Sequence, residues 1–192
     1  MYKVFLVDDR VEIVESIAKT VPWGKFGCEI GGWAVNGKDG YDKIQKLQPN
    51  IVITDIKMPV MDGLELIEVS QRMEKQIRFI VLSGYDDFSF AQKAIRLGVD
   101  EYLLKPASVE DICEMLQKIT KQLDEEREKK RKVLDLEKKV WQSLPLLKDE
   151  YFRFLISSIQ DISRESIEER FGFLQIDIPL ENLMLIYCEL SS

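Results

Sequence analysis

The sequence predicts a doubly wound α/β fold, a five-stranded parallel sheet with helices on both faces, followed by a long helix and part of a second α/β-type domain. Three observations predict it. Short apolar runs alternate five times with stretches of helical periodicity within residues 1–122. The runs are nearly continuous in apolar character, as strands covered on both faces must be. Each of four runs delivers a polar, chemically capable residue at its carboxyl end, the edge where open α/β sheets bind ligands.

The first strand is Lys3-Val4-Phe5-Leu6-Val7, and Asp8 and Asp9 follow at once. Adjacent carboxylates suit a helix N-terminus, and a helix starts near Arg10. That explains one acid better than two, because side-by-side like charges repel and together invite a cation. Val11, Val14, Ile17, Ala18 and Val21 recur at helical spacing until Pro22-Trp23-Gly24. Cys28 to Val35 is the second strand, with Asn36-Gly37 as the turn after it, and Tyr41, Ile44 and Leu47 mark the second helix.

The third strand, Ile51-Val52-Ile53-Thr54-Asp55, is bounded by Pro49-Asn50 and Pro59 and ends in a lone carboxylate. After the loop Pro59 to Gly63, Leu64, Ile67 and Val69 begin the third helix. Phe79 to Leu82 is the fourth strand, ending in Ser83-Gly84. Phe88, Ala91, Ala94, Ile95 and Leu97 form the fourth helix, stopped by Gly98, and Glu101 to Leu104 is the fifth strand, ending in Lys105-Pro106.

Composition narrows the function. Net charge is −7, from 34 acidic against 27 basic residues, which argues against this chain gripping nucleic acid. There is no histidine, and the three cysteines, Cys28, Cys113 and Cys188, are far apart, so neither a zinc site nor histidine catalysis is expected. The cysteines read as reduced core residues of a cytoplasmic protein, and no signal peptide or membrane-length apolar run appears.

A parallel sheet puts Asp8, Asp9, Asp55, Ser83 and Lys105 on one edge. Three carboxylates there suit a hard divalent cation, and a few protein ligands plus water suit Mg²⁺. A carboxylate can also act as a nucleophile toward phosphorus, in a reaction that needs positioning and charge neutralisation more than acid–base help.

On these residues the chain resembles the response-regulator receiver domains of two-component signalling, which have the flavodoxin-like fold. It carries the acidic pair Asp8-Asp9, then Asp55 with Met58-Pro59-Val60-Met61-Asp62-Gly63, then Ser83 and Lys105-Pro106, at the family's spacing. The resemblance covers roughly residues 1–122. It implies that Asp55 accepts a phosphoryl group from a sensor histidine kinase, assisted by Lys105 and Ser83. It implies Mg²⁺ held by Asp9 directly, Asp8 through water, Asp55, and the backbone carbonyl of Lys57. Ser83 and Tyr102 would be the switch pair, and the Lys105–Pro106 bond would be cis. The residues two beyond the acceptor and two beyond the hydroxyl, Lys57 and Tyr85, would shield the phosphoryl group and make its hydrolysis slow. The protein would thus not be a classical enzyme, yet would catalyse its own phosphorylation and dephosphorylation.

The fifth helix continues past the receiver. Val109, Ile112, Leu116, Ile119 and Leu123 pack on the sheet or on a partner, and Asp124 to Lys132 is almost all charge. Apolar positions resume at Val133, Leu136, Val140, Trp141 and Leu144, with Glu126, Lys130 and Glu137 interrupting the seam. The expectation is a helical linker over 109–147 making a parallel coiled coil over 109–144 in a homodimer, about 50 Å long at helical rise, ended by Pro145. A solvated single helix is the alternative.

Residues 148–192 read as the start of a truncated second domain. Tyr151, Phe152, Leu155, Ile156 and Ile159 suggest one helix, Ser163 to Phe171 a second, and Leu183 to Leu190 a strand. Ser83-Gly84-Tyr85-Asp86-Asp87-Phe88 and its continuation resemble the YesN-like, AraC-type response regulators, in which a C-terminal pair of helix-turn-helix units binds DNA. Transcription regulation by the full-length protein is therefore implied, and DNA binding by residues 1–192 is not.

Rival functions fit less well. A haloacid-dehalogenase-type phosphatase needs a second carboxylate two residues after its nucleophile, where Lys57 stands. A flavin carrier needs a phosphate cradle after the first strand, where Asp8 and Asp9 would repel the phosphate. An unphosphorylated receiver-like dimerisation module would tolerate loss of the acidic pair, Ser83 or Lys105, and all are present.

Overall fold

The structure is a computed structural model that describes residues 1–73, 76–84, 88–158 and 163–178. The strands are β1 (Tyr2–Val7), β2 (Cys28–Ala34), β3 (Ile51–Asp55), β4 (Arg78–Ser83) and β5 (Glu101–Leu104). The helices are α1 (Val11–Thr20), α2 (Gly37–Leu47), α3 (Gly63–Ser70), α4 (Phe88–Arg96), α5 (Val109–Ser158) and α6 (Arg164–Phe173). All strand pairs are parallel, in the order β2-β1-β3-β4-β5. The predicted doubly wound sheet is therefore present. The chain divides into two compact units, Met1–Glu126 and Arg127–Ser192.

The strand period of two explains how both faces are filled. Val4, Leu6, Ile51, Ile53, Ile80 and Leu82 point to one face and meet Val14 of α1 and Ile112, Leu116 and Ile119 of α5. Phe5, Val7, Val52, Phe79 and Val81 point to the other and meet Ile44 of α2, Leu66 and Ile67 of α3, and Ala94 of α4. Leu116 and Ile119 are thus core residues of the first unit, so the first turns of the expected coiled-coil seam are already occupied by the sheet. Cys28 lies in the same core, and burial pushes its thiol up to about 11, which keeps it an inert apolar filler.

Local signals set the boundaries. Asn36 does not turn the chain away. It caps α2, its side chain accepting the Asp39 N–H at 2.8 Å. Asp62 and Glu65 form a reciprocal capping box at the start of α3. Gly98 ends α4 with φ +66°, the left-handed conformation that glycine takes at little cost.

One boundary differs. Pro145 was expected to stop the fifth helix, yet α5 continues through it to Ser158, and the helix expected from Tyr151 is its last turns. A mid-helix proline loses a hydrogen bond and crowds the preceding turn, at a cost of about 3 kcal/mol. Tertiary packing offsets this. Leu144 and Leu155 are buried on either side of the proline, and Tyr151 and Phe152 meet Phe171 edge-on with ring centroids 6.2 and 6.1 Å away. The predicted second helix is present as α6, capped by Ser163. Ile159 and the expected strand Leu183–Leu190 lie outside the described residues.

Candidate functional site

The carboxyl edge of the sheet brings the predicted residues together. Asp8 follows β1, Asp55 closes β3, Ser83 closes β4, and Lys105 follows β5. The Lys105 ammonium sits 2.7 Å from Asp8 Oδ2 and 3.1 Å from Asp55 Oδ2. Carboxylate oxygens of Asp8, Asp9 and Asp55 all lie within 4.8 Å of one another. Asp8 and Asp55 are buried and Asp9 is exposed, so the cluster opens to solvent on one side. The Lys105–Pro106 bond is cis, as expected.

The second oxygen of each buried acid is held by the backbone. Asp55 Oδ1 accepts the Ile56 N–H at 2.8 Å, and Asp8 Oδ1 accepts the Arg10 N–H at 3.0 Å. Asp8 therefore does part of the capping work at α1, while its other oxygen faces the pocket. Burial pushes the Asp55 carboxyl above its ordinary range; Lys105 pulls it back down, and the neighbouring Asp8 charge adds to the rise. Three carboxylates against the Lys105 ammonium and the more distant Arg10 guanidinium, 3.8 Å from Asp8 Oδ1, leave an excess of negative charge. That donor set, all hard oxygens with an open side for water, fits a divalent cation of the Mg²⁺ type.

The loop after Asp55 is fixed by contacts that the sequence reading left out. A Cβ on Gly63 would collide with the Asp55 carbonyl oxygen, and one on Gly37 would lie 2.6 Å from the Met61 carbonyl oxygen. Each glycine also donates its N–H across the loop, Gly63 to Ile56 at 2.8 Å and Gly37 to Met61 at 3.1 Å. Only their position in M-P-x-M-D-G and in Asn-Gly hinted at this role. Between them Val60 stands 84% exposed with φ +71°, a left-handed conformation costly for a β-branched residue.

Lys57 and Ser83 occupy the same edge, and Tyr102 lies within β5. Lys57 begins the loop, its ammonium 5.7 Å from the centre of the Phe90 ring. Tyr85, expected to act with it, lies outside the described residues. Ser83 is fully buried, and its carbonyl accepts the Lys105 N–H at 2.6 Å, which clips the ends of β4 and β5 together. Tyr102 pairs with Val81 in the sheet register and packs among the residues on the α2–α4 face. Its hydroxyl is buried with no hydrogen-bond partner among the described residues.

A parallel β2-β1-β3-β4-β5 sheet with an acidic pocket against a lysine on its carboxyl edge defines an α/β signalling module of the two-component type. The chain belongs to the response regulator receiver domain family, whose model matches residues 4–117. It is 38% identical over 163 residues to the transcriptional regulatory protein YesN of Bacillus subtilis, covering 85% of this chain and 44% of that one. It is 31% identical over 170 residues to the transcriptional regulatory protein HptR of Staphylococcus aureus, covering 88% and 66% respectively. The chain thus spans about half to two thirds of the length of these relatives. Among solved structures, the receiver domain of AraT, a response regulator from Geobacillus stearothermophilus, matches with TM-score 0.62 and 35% identity, over 66% of this chain and 98% of that one. This is a response-regulator receiver with transcriptional regulators among its relatives.

Proposed function

We propose that Asp55 is the phospho-acceptor of this receiver and that a sensor histidine kinase is its donor. The observation that carries this reading is the Asp55 carboxylate held between the Lys105 ammonium and the Asp8–Asp9 pair. In the transfer, an Asp55 carboxylate oxygen attacks phosphorus and the bond from phosphorus to the kinase's histidine nitrogen breaks, so the phosphoryl group changes carrier. Lys105 neutralises one phosphoryl oxygen, and the Ser83 hydroxyl donates to another. Asp8, Asp9, Asp55 and the Lys57 carbonyl would hold Mg²⁺, which supplies neutralisation of the remaining charge.

The output follows from the same reading. New hydrogen bonds at Ser83 and Lys105 bias the adjoining strands, and Tyr102 is the ring that responds. Lys57, resting over Phe90, screens the acceptor on one side and slows hydrolysis. Residues 1–122 act as the receiver, 109–147 as the linker and 148–192 as the start of a further domain. The exposed apolar residues Val133, Leu136, Val140 and Trp141 on α5 support a homodimer through this helix. The full-length protein is a cytoplasmic transcription regulator whose DNA-binding part lies beyond residue 192. Among the described residues no helix is long and apolar enough to cross a membrane.

Intact mass after incubation with Mg²⁺ and acetyl phosphate tests the acceptor. The chain should gain one phosphoryl mass and Asp55→Asn should gain none. A gain by both, or by neither at saturating Mg²⁺, would sink the assignment. Light scattering on the same samples tests the dimer, and a monomer in both states would remove it.

A further inference from the structure

The opposite edge of the sheet carries a second charged cluster that the phospho-acceptor reading does not use. Three polar contacts fasten α5 there. Lys118 pairs with Glu101 at the start of β5, the Tyr2 hydroxyl at the start of β1 donates to Asp124 Oδ1 at 2.6 Å, and Arg78 at the start of β4 pairs with Glu126. Glu126 is the last residue of the first compact unit.

Arg78 is the more buried of the two cations, its side chain 14% exposed against 61% for Lys118. One terminal nitrogen binds Asp100 Oδ1 at 2.9 Å and the other binds Glu126. Asp100 is fixed in turn, because its second oxygen accepts the Phe79 N–H at 2.8 Å. The Nε of Arg78 is buried and has no hydrogen-bond partner among the described residues. A guanidinium whose Nε–H is unfilled has a second arrangement open to it. By turning Nε toward Asp100 it would pair with that carboxylate through two donors, the geometry arginine favours, and release Glu126.

The strands that present Arg78 and Asp100 are β4 and β5. Their other ends carry Ser83 and Lys105, clipped together by the Lys105 N–H to Ser83 carbonyl bond. A displacement at the phosphorylation pocket therefore acts on the two strands that hold Arg78.

We propose that Arg78, shared between Asp100 and Glu126, is a latch that holds the last receiver turns of α5 on the sheet, and that phosphorylation releases it. The second half of this statement rests on phosphorylation of Asp55, and the first half does not. Two discrete pairings of one guanidinium are the kind of element that transmits such a signal.

Hydrogen exchange on the full chain tests the latch. Without phosphodonor, Glu126→Gln should raise exchange of the amides in 120–128 by about tenfold, the scale of one lost charge-assisted bond. Glu128→Gln, which removes an exposed pairing with Arg131, should leave it unchanged. Unchanged exchange in Glu126→Gln overturns the latch. With Mg²⁺ and acetyl phosphate, wild type that has gained phosphoryl mass should exchange in 120–128 as Glu126→Gln does, and wild type that gains the mass but not the exchange overturns the release. Failure to gain mass counts against the phospho-acceptor reading, while the donor-free comparison decides the latch by itself.

Discussion

The two edges of the sheet carry similar residues in opposite states of compensation. At the amino edge Asp100, Glu101 and Glu126 each touch a cation, either Arg78 or Lys118. At the carboxyl edge Asp8 and Asp55 share Lys105, Arg10 stands 3.8 Å from Asp8 Oδ1, and Asp9 has no partner among the described residues. Compensated charge fixes elements in place, whereas uncompensated charge on rigid strand ends is left for a ligand to complete. Each edge sets two cations against three acids, and the same fold separates a holding edge from a working edge by whether every acid is reached.

The largest effect should come from removing the acceptor. Asp55→Asn should abolish phosphoryl gain by mass and also raise the melting temperature at pH 7 in EDTA by a few degrees. The sign follows from the raised carboxyl pKa of Asp55 in the folded state. A raised acid favours folding while protonated, and that contribution is lost as pH rises through the folded pKa. The wild type should therefore lose stability on going from acid to neutral pH relative to Asp55→Asn. Parallel pH–stability curves would mean that Asp55 is already compensated.

At the amino edge, Arg78→Met should cost about 3 kcal/mol in urea unfolding, because it strands Asp100 in a largely buried site. Its phosphoryl gain should not fall below the wild-type level, since Arg78 lies at the far end of β4 and a latch that phosphorylation releases can only oppose phosphorylation. A loss of phosphorylation in a folded Arg78→Met protein would break the division between the edges. Lys105→Met should cost less, about 2 kcal/mol in EDTA, because the pocket is open and water reaches Asp9. Added Mg²⁺ should recover part of that loss, and no recovery would argue against a cation in the pocket. The smallest effect concerns the loop. Val60→Asn should stabilise by about 1 kcal/mol, since asparagine tolerates the left-handed conformation that Val60 adopts.

Most of the fold was legible because its signals are local. Strand runs, helical spacing, Gly98 and the helix start at Ser163 each act within a few residues. The pocket was legible for a topological reason, since a parallel sheet sends every strand's last residue to one edge. What escaped depends on contacts distant in sequence. Arg78 meets Asp100 and Glu126, separated from it by 22 and 48 residues, and neither spacing leaves a pattern. The roles of Gly37 and Gly63 appear only once the Asp55 loop is folded between them. Pro145 was misread because burial on both sides of it outweighs its local cost. Leu116 and Ile119 fit a heptad and a sheet-facing helix equally well, and only the sheet's position decides between them.

Pro145 has a consequence for hydration. It has no N–H, so the carbonyl of Trp141, four residues earlier, lacks its intrahelical donor. Trp141 is exposed, and water can reach that carbonyl for as long as this side of α5 stays wet. A second chain laid along Val133, Leu136 and Val140 meets no such demand. One that wrapped round to cover Trp141 would have to leave a solvent channel there or supply a donor of its own. The proline thereby marks which part of the helix surface can be sealed dry and which cannot.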